Sequence, residues 1–218
     1  MKEKLSGLKT AYGERNNEVI SDISVTEKKE KRTVFLHSCC GPCSTACIER
    51  LLPDYHVVVF YYNPNITDRD EYEKRKESQI RFITEYNRGL NEEDQVKFIE
   101  GEYIPEDYFS FVSGLEKEKE GGKRCTECFR LRLDRTAKAA KELGYSIFTT
   151  TLTVSPHKNS PLIMMIGEET AERYGLTFLD MDFKKKDGFK KSIELAKKYE
   201  LYRQNYCGCE FSKWFLDK

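Results

Sequence analysis

Two apolar runs with one helix-length segment between them constrain the fold most. "RTVFLHS" (32–38) and "YHVVVFYYNPN" (55–65) are rich in branched and aromatic residues and lack the alternation of a strand with one wet face. Such strands need cover on both sides, which a parallel sheet with helices on each face provides. Between them, "STACIERLLP" (44–53) spaces Ala46, Ile48, Leu51 and Leu52 as a helix does and is closed by Pro53. A strand, a helix and a strand in that order form a right-handed parallel crossover.

The alternation continues along the chain. "DEYEKRKESQIRFITEYNRGL" (70–90) reads as a long helix with Tyr72, Ile80, Ile83 and Tyr86 turned inward, and "QVKFIEGEY" (95–103) as a third strand. "PEDYFSFVSGLEKEKE" (105–120) is a short helical stretch opened by Pro105. "TECFRLRLDRTAKAAKELGY" (126–145) places Leu131, Leu133, Ala137, Ala140 and Leu143 on an inner face, with Gly144 as its C-terminal stop. "SIFTTTLTV" (146–154) is a fourth strand. A further helix follows with Ser160 as N-cap and Pro161 at its first position, and then a fifth strand, "LTFLDMDF" (176–183). The remainder is helical to about Tyr202 and irregular beyond it. The pattern predicts one doubly wound α/β domain over residues 32–218 with a mainly parallel five-stranded sheet, preceded by a polar N-terminal extension over 1–31 with at most a short helix and a mobile tip.

In such sheets ligands sit at the carboxyl ends of the strands. Three loops therefore address one crevice: Cys39 to Cys43, the Asn63-Pro64-Asn65 turn, and Ser155 to Asn159. The first of these, within "LHSCCGPCSTAC", holds thiols where a nucleotide-binding fold keeps a glycine-rich phosphate loop.

Eight cysteines fall at 39, 40, 43, 47, 125, 128, 207 and 209. The N-terminal segment has scattered charges and no apolar secretory stretch, so a reducing, cytoplasmic setting is expected, and clustered thiols there point to metal or redox chemistry. No apolar run approaches membrane-spanning length, and the formal net charge of +0 names no nucleic-acid partner by itself. Cys40-x-x-Cys43 with Cys125-x-x-Cys128 suits a structural zinc site; Cys39 and Cys40 with Cys125 and Cys128, facing the ligand crevice, suit a 4Fe-4S cluster. Cys207-Gly208-Cys209 reads as an exchangeable redox pair, as further metal ligands, or as two buried thiols. Cys47 and His56 read as structural. His37 and His157 flank the crevice, and His157 with Lys158 is the better acid or anion contact.

Taken together, "LHSCCGPCS", "FYYNPNI", "EGGKRCTECFRLRLDRTA", "FTTTLTVSPHKN" and "YCGCEFS" closely resemble the QueH-type epoxyqueuosine reductases, from about Phe35 to Phe211. The resemblance implies an oxidoreductase that acts independently of cobalamin in the last step of queuosine synthesis, converting the epoxide of epoxyqueuosine at the wobble position of tRNA to an alkene. It also implies 4Fe-4S ligands at Cys39, Cys40, Cys125 and Cys128, a redox-active pair at Cys207 and Cys209, and a HUP/PP-loop-like fold. Because Ser38-Cys39-Cys40-Gly41-Pro42-Cys43 replaces the phosphate loop of related ATPases, ATP use is not expected.

The chemistry agrees. Removing an epoxide oxygen as water takes two electrons and two protons; a cluster passes one electron at a time, a dithiol stores two, and an external electron donor refills the site. An open iron position would polarise the oxygen as a Lewis acid, and Cys43 or the Cys207 and Cys209 pair could bind a second iron. His157, Glu127 and Asp68 are the candidate proton donors. If RNA is the substrate, Lys184 to Lys186, Lys190 and Lys191 are available to phosphate. The competing readings are an ATP-dependent tRNA-thiolating or ligating enzyme and a zinc-stapled binding module.

Overall fold

The computed structural model describes residues 30–213, so the extension expected over 1–31 lies outside the described residues apart from Glu30 and Lys31. The strands are β1 (Arg32–Ser38), β2 (Tyr55–Tyr61), β3 (Lys97–Glu100), β4 (Ile147–Thr150) and β5 (Thr177–Phe178). The helices are α1 (Gly41–Leu51), α2 (Arg69–Asn87), α3 (Pro105–Phe111), α4 (Lys123–Glu142), α5 (Ser160–Tyr174), α6 (Gly188–Lys198) and α7 (Glu210–Lys213). All strand pairs are parallel, in the order β3-β2-β1-β4-β5. This is the five-stranded α/β sheet that the apolar runs require.

The period of two along each strand sorts its side chains between two layers. Val34 and Leu36 of β1 and Val57 and Val59 of β2 pack with Ile48 and Leu51 of α1, Phe82 and Ile83 of α2, and Ala196 of α6. On the opposite face, Phe35, Val58, Phe60 and Phe148 pack with Phe129, Leu133, Ala137 and Ala140 of α4 and Ile163 and Ile166 of α5. Each buried aliphatic or aromatic side chain contributes about 1.5–3 kcal/mol, so the central strands anchor both layers. Among the described residues no helix is long and apolar enough to cross a membrane.

Several boundaries differ from the expected ones for local reasons. α1 starts at Gly41, ahead of Ser44, with Pro42 in its first turn; Cys43 is therefore helical and does not lie in the loop. β4 stops at Thr150, whose side chain accepts the Leu152 N–H at 3.1 Å and turns the chain into a 3-10 helix over Thr151–Val154. The cap of α5 is Asn159, which accepts the Leu162 N–H at 3.1 Å, and Ser160 is the first helical residue. Ile80 points outward, 41% exposed, because Ser78, Gln79, Phe82 and Ile83 occupy the inner stripe of α2. Leu143 is 52% exposed because it is already the C-cap of α4, followed by Gly144 at φ 79°. β5 is only two residues long.

Gly41 lets α1 begin against α2. A Cβ there would meet the Ser78 carbonyl oxygen at 2.8 Å and the Gln79 nitrogen at 3.0 Å, backbone atoms that cannot swing aside. Gly41→Ala is expected to destabilise the fold by about 1–3 kcal/mol, seen as a lower urea midpoint at unchanged slope. Gly89→Ala is the control: its nearest neighbour would be the Tyr86 oxygen at 3.7 Å, and its effect should stay within about 1 kcal/mol of zero.

Candidate metal centre

β1 ends between β2 and β4, and its last residues are held from both sides. His37 is fully buried; its Nε2 faces the Tyr62 carbonyl at 3.1 Å and its Nδ1 faces Thr150 Oγ1 at 2.8 Å. A carbonyl only accepts, so Nε2 carries the hydrogen and Nδ1 accepts from the threonine hydroxyl. Burial, reinforced by the charge of Arg132, pushes His37 down to about 3, which makes it a neutral structural brace. Ser38 donates from Oγ to Gln79 Oε1 at 2.6 Å, and the Asn63 amide donates to the Ser38 carbonyl at 2.8 Å.

The three cysteines that follow are thereby fixed. The sulfurs of Cys39, Cys40 and Cys43 lie within 4.8 Å of one another at the start of α1. Cys39 and Cys40 are buried, their sulfurs 3.9 Å apart, and Cys40 is the extended N-cap. Thr151 Oγ1 donates to Cys39 Sγ at 3.6 Å and the Gln204 side-chain amide donates to Cys40 Sγ at 3.0 Å. Hydrogen bonding from Cys40 and Cys43 holds the Cys39 thiol well below its ordinary range, and the same bonds push Cys40 up to about 12 and raise Cys43. Three thiols this close titrate as a set, and the shared bonds favour the charged form of Cys39 over the other two.

Beside them is a tight pocket whose wall includes Asn65, Cys125, Cys128, Lys158, Cys207 and Cys209. Cys125 and Cys128 sit in the first turns of α4, one turn apart. The Gly121 N–H reaches Cys125 Sγ at 3.2 Å, an approach made by a glycine at φ 85°. Burial pushes Cys128 up to about 12 while Arg132 pulls the other way. Lys158 is half-buried; burial opposes its charge, but Cys207, Cys39 and Cys43 outweigh it and keep the ammonium protonated. Lys158 thus feels both sulfur groups.

The Cys207–Cys209 segment has no strand or helix of its own and is clamped by Arg75. This guanidinium, 2% exposed, donates to the carbonyls of Cys207 at 3.0 Å and Tyr206 at 3.2 Å and pairs with Glu71 at 2.7 Å. Tyr202 donates its hydroxyl to the other Glu71 oxygen at 2.8 Å. Gly208 stands at φ 114°, and a Cβ there would meet Ile66 at 2.8 Å.

Of the residues singled out from sequence, the structure brings Cys39, Cys40 and Cys43 into one group and puts Cys125, Cys128, Cys207, Cys209, His157 and Lys158 on the neighbouring pocket wall. Cys47 belongs to the core, bonded from Sγ to the Cys43 carbonyl at 3.2 Å. Asp68 caps α2, accepting the Asp70 and Glu71 N–H groups at 3.0 and 3.2 Å, and Glu127 lines a separate depression with Arg130 and Asp134. Of the three proton-donor candidates only His157 reaches the pocket wall. Sequence reading passed over Arg75, Gln204, Tyr108, Arg124 and Arg132. Arg132 carried a signal, since it follows Cys125 and Cys128 at i+7 and i+4 on one helix face.

The family described as "Epoxyqueuosine reductase QueH" matches residues 34–214. The protein of that name from Streptococcus pyogenes serotype M1 is 42% identical over 189 residues, covering 86% of this chain and 73% of its own. Those from Staphylococcus epidermidis and Thermotoga maritima are 41% and 38% identical, covering 84% and 83% of this chain and 77% and 90% of theirs. The chain belongs to the QueH family. QueH proteins are named as reductases, so the fold described above carries an oxidoreductase.

The donor set here could hold a metal. Thiolates two or three residues apart turn toward one metal without straining the backbone, and the Cys39, Cys40 and Cys43 sulfurs already do so. Because Arg75 neutralises Glu71 while holding the Cys207 segment, Arg75→Ala strands a buried carboxylate. It should cost about 3–5 kcal/mol of stability in a denaturant titration. Limited proteolysis should cut first within residues 203–209.

Proposed function

We propose that this chain reduces the epoxide of epoxyqueuosine in tRNA to the alkene of queuosine. The observation that carries the reading is the gathering of seven cysteines around one end of the sheet in a QueH-family chain, three in one sulfur group and four on the adjoining wall. Cys39, Cys40, Cys125 and Cys128 would hold a 4Fe-4S cluster, with Cys43 as ligand of an additional iron ion. Such a group, when bound, supplies one-electron transfer and, at an open iron position, Lewis acidity.

The protein's own groups account for the rest. Cys207 and Cys209 form a dithiol that yields two electrons and two protons on closing to a disulfide. The substrate takes up the same: both C–O bonds of the epoxide break, a C=C bond forms and the oxygen leaves as water. An external electron donor returns the disulfide to the dithiol. Lys158 keeps a proton on Nζ beside these sulfurs and, with His157 on the same wall, neutralises charge developing on the departing oxygen. The segment with Lys184 to Lys186 adjoins that wall, Lys184 Nζ donating to the Lys158 carbonyl at 3.4 Å, and offers phosphate contacts to the tRNA. A tRNA substrate fits a cytoplasmic enzyme.

The decisive experiment incubates anaerobically purified protein with epoxyqueuosine-containing tRNA and a reductant, followed by nucleoside mass spectrometry. Queuosine should appear with loss of one oxygen, from a brown protein that bleaches in air. A colourless protein with about one zinc and no conversion overturns the reading. Cys125→Ala and Cys128→Ala should lose colour and turnover together, whereas Cys207→Ala should keep the visible spectrum and lose turnover. Loss of colour in Cys207→Ala would move the pair into the ligand set.

A further inference from the structure

Among the described residues three arginines are almost completely buried: Arg75, Arg124 and Arg132. Two have ordinary partners. Arg75 pairs with Glu71, and Arg124 grips the Glu116 and Glu118 carbonyls with Nη1. Arg132 is held more weakly: its one hydrogen bond to a side chain is a long one, from Nη1 to Asn63 Oδ1 at 3.4 Å, and, as in Arg124, its Nε and Nη2 are buried without a hydrogen-bond partner among the described residues. Among the described residues it has no ion pair with a carboxylate, and the groups that favour its charge against burial are Cys128, Cys207, Cys39 and Cys125. A buried cation without an anion is costly. The position therefore suits an anionic group bound among these cysteines.

Its position joins the parts of the centre. On α4, Arg132 lies one turn beyond Cys128 on the face that starts at Cys125. Through Asn63, whose amide donates to the Ser38 carbonyl, it is linked to the peptide that leads into Cys39. We propose that Arg132 is the fixed counter-charge of the metal–sulfur centre and sets its reduction potential. This rests on the reading that these cysteines hold an iron centre. When an external reductant delivers one electron there, the site becomes more negative by one unit, and a guanidinium screened from water by burial stabilises that state over the oxidised one. Arg132 is a positioning residue: it acts through the sulfurs and touches no substrate.

The test compares the reconstituted wild type with Arg132→Met, Arg132→Gln and Arg132→Lys in anaerobic redox titrations followed by visible and electron paramagnetic resonance spectra, with iron and sulfide content measured on each. Methionine fills the buried space without stranding polar atoms. Both uncharged variants should show an equilibrium for one-electron reduction at least tenfold less favourable, a midpoint lower by 59 mV or more, while Arg132→Lys should recover most of the loss. Failure of the uncharged variants to hold iron and sulfide, with retention in Arg132→Lys, would equally show that the charge is required. Arg132→Met titrating at the wild-type midpoint overturns the proposal. So does loss of the centre in all three variants, which would make the role one of shape. A wild type that takes up no iron and sulfide fails at the earlier step and overturns the metal reading along with this one, which distinguishes the two failures.

Discussion

The pairing of β1 on both edges organises this molecule. Its residues run in register with β2 along their whole length, while Phe35 to His37 also pair with Phe148 to Thr150 of β4. Because the chain order changes direction at this strand, the connections leaving β1 and β4 diverge to opposite faces of the sheet and a crevice opens between them. The peptide from Cys39 to Cys43 and the turn from Thr151 to Asn159 have nowhere else to go. His37, bonded across to Thr150, ties the two exits together.

Sulfur brought into that crevice comes from three parts of the chain with different kinds of support. The group on β1 and α1 is held by secondary structure, the pair on α4 by a helix and its glycine lead, and the last pair by the Arg75 guanidinium with bonds from Thr67 to Gly208 and from Ser212 to Cys209. Lys158 and Arg132 are cations whose charge is favoured chiefly by the surrounding cysteines. Thiols gathered beside a buried guanidinium and a half-buried ammonium are unsuited to an ordinary apolar core and well suited to anionic metal–sulfur chemistry.

Much of this was legible in the residues. The doubly apolar runs at 32–38 and 55–62 specify a sheet covered on both faces, and strand-end position assigns the Cys39–Cys43 loop, with those at 63–65 and 155–159, to one crevice. What was not legible depended on tertiary detail. That α1 begins at Gly41 follows from a close approach to the backbone of α2, which no local propensity reports. Ile80 looked inward by type, but the stripe of α2 is set by Phe82, Ile83 and the buried polar Ser78 and Gln79. Arg75 and Arg132 look like surface residues in a chain with 37 Lys and Arg; only folding shows that one holds a loop and the other faces sulfur.

The separation in sequence between the sulfur groups has a consequence for how a newly made chain fares. Contacts between residues near 40 and residues near 207 close almost the whole domain, and such contacts form late because the entropy of closing a long loop must first be met by other gains. Until Arg75 captures the Tyr206 and Cys207 carbonyls, the sheet can be complete while Cys40 lacks its Gln204 contact. In that interval the thiols are open to oxygen and to mispairing, so the last segment to dock is also the one that protects the centre from its surroundings.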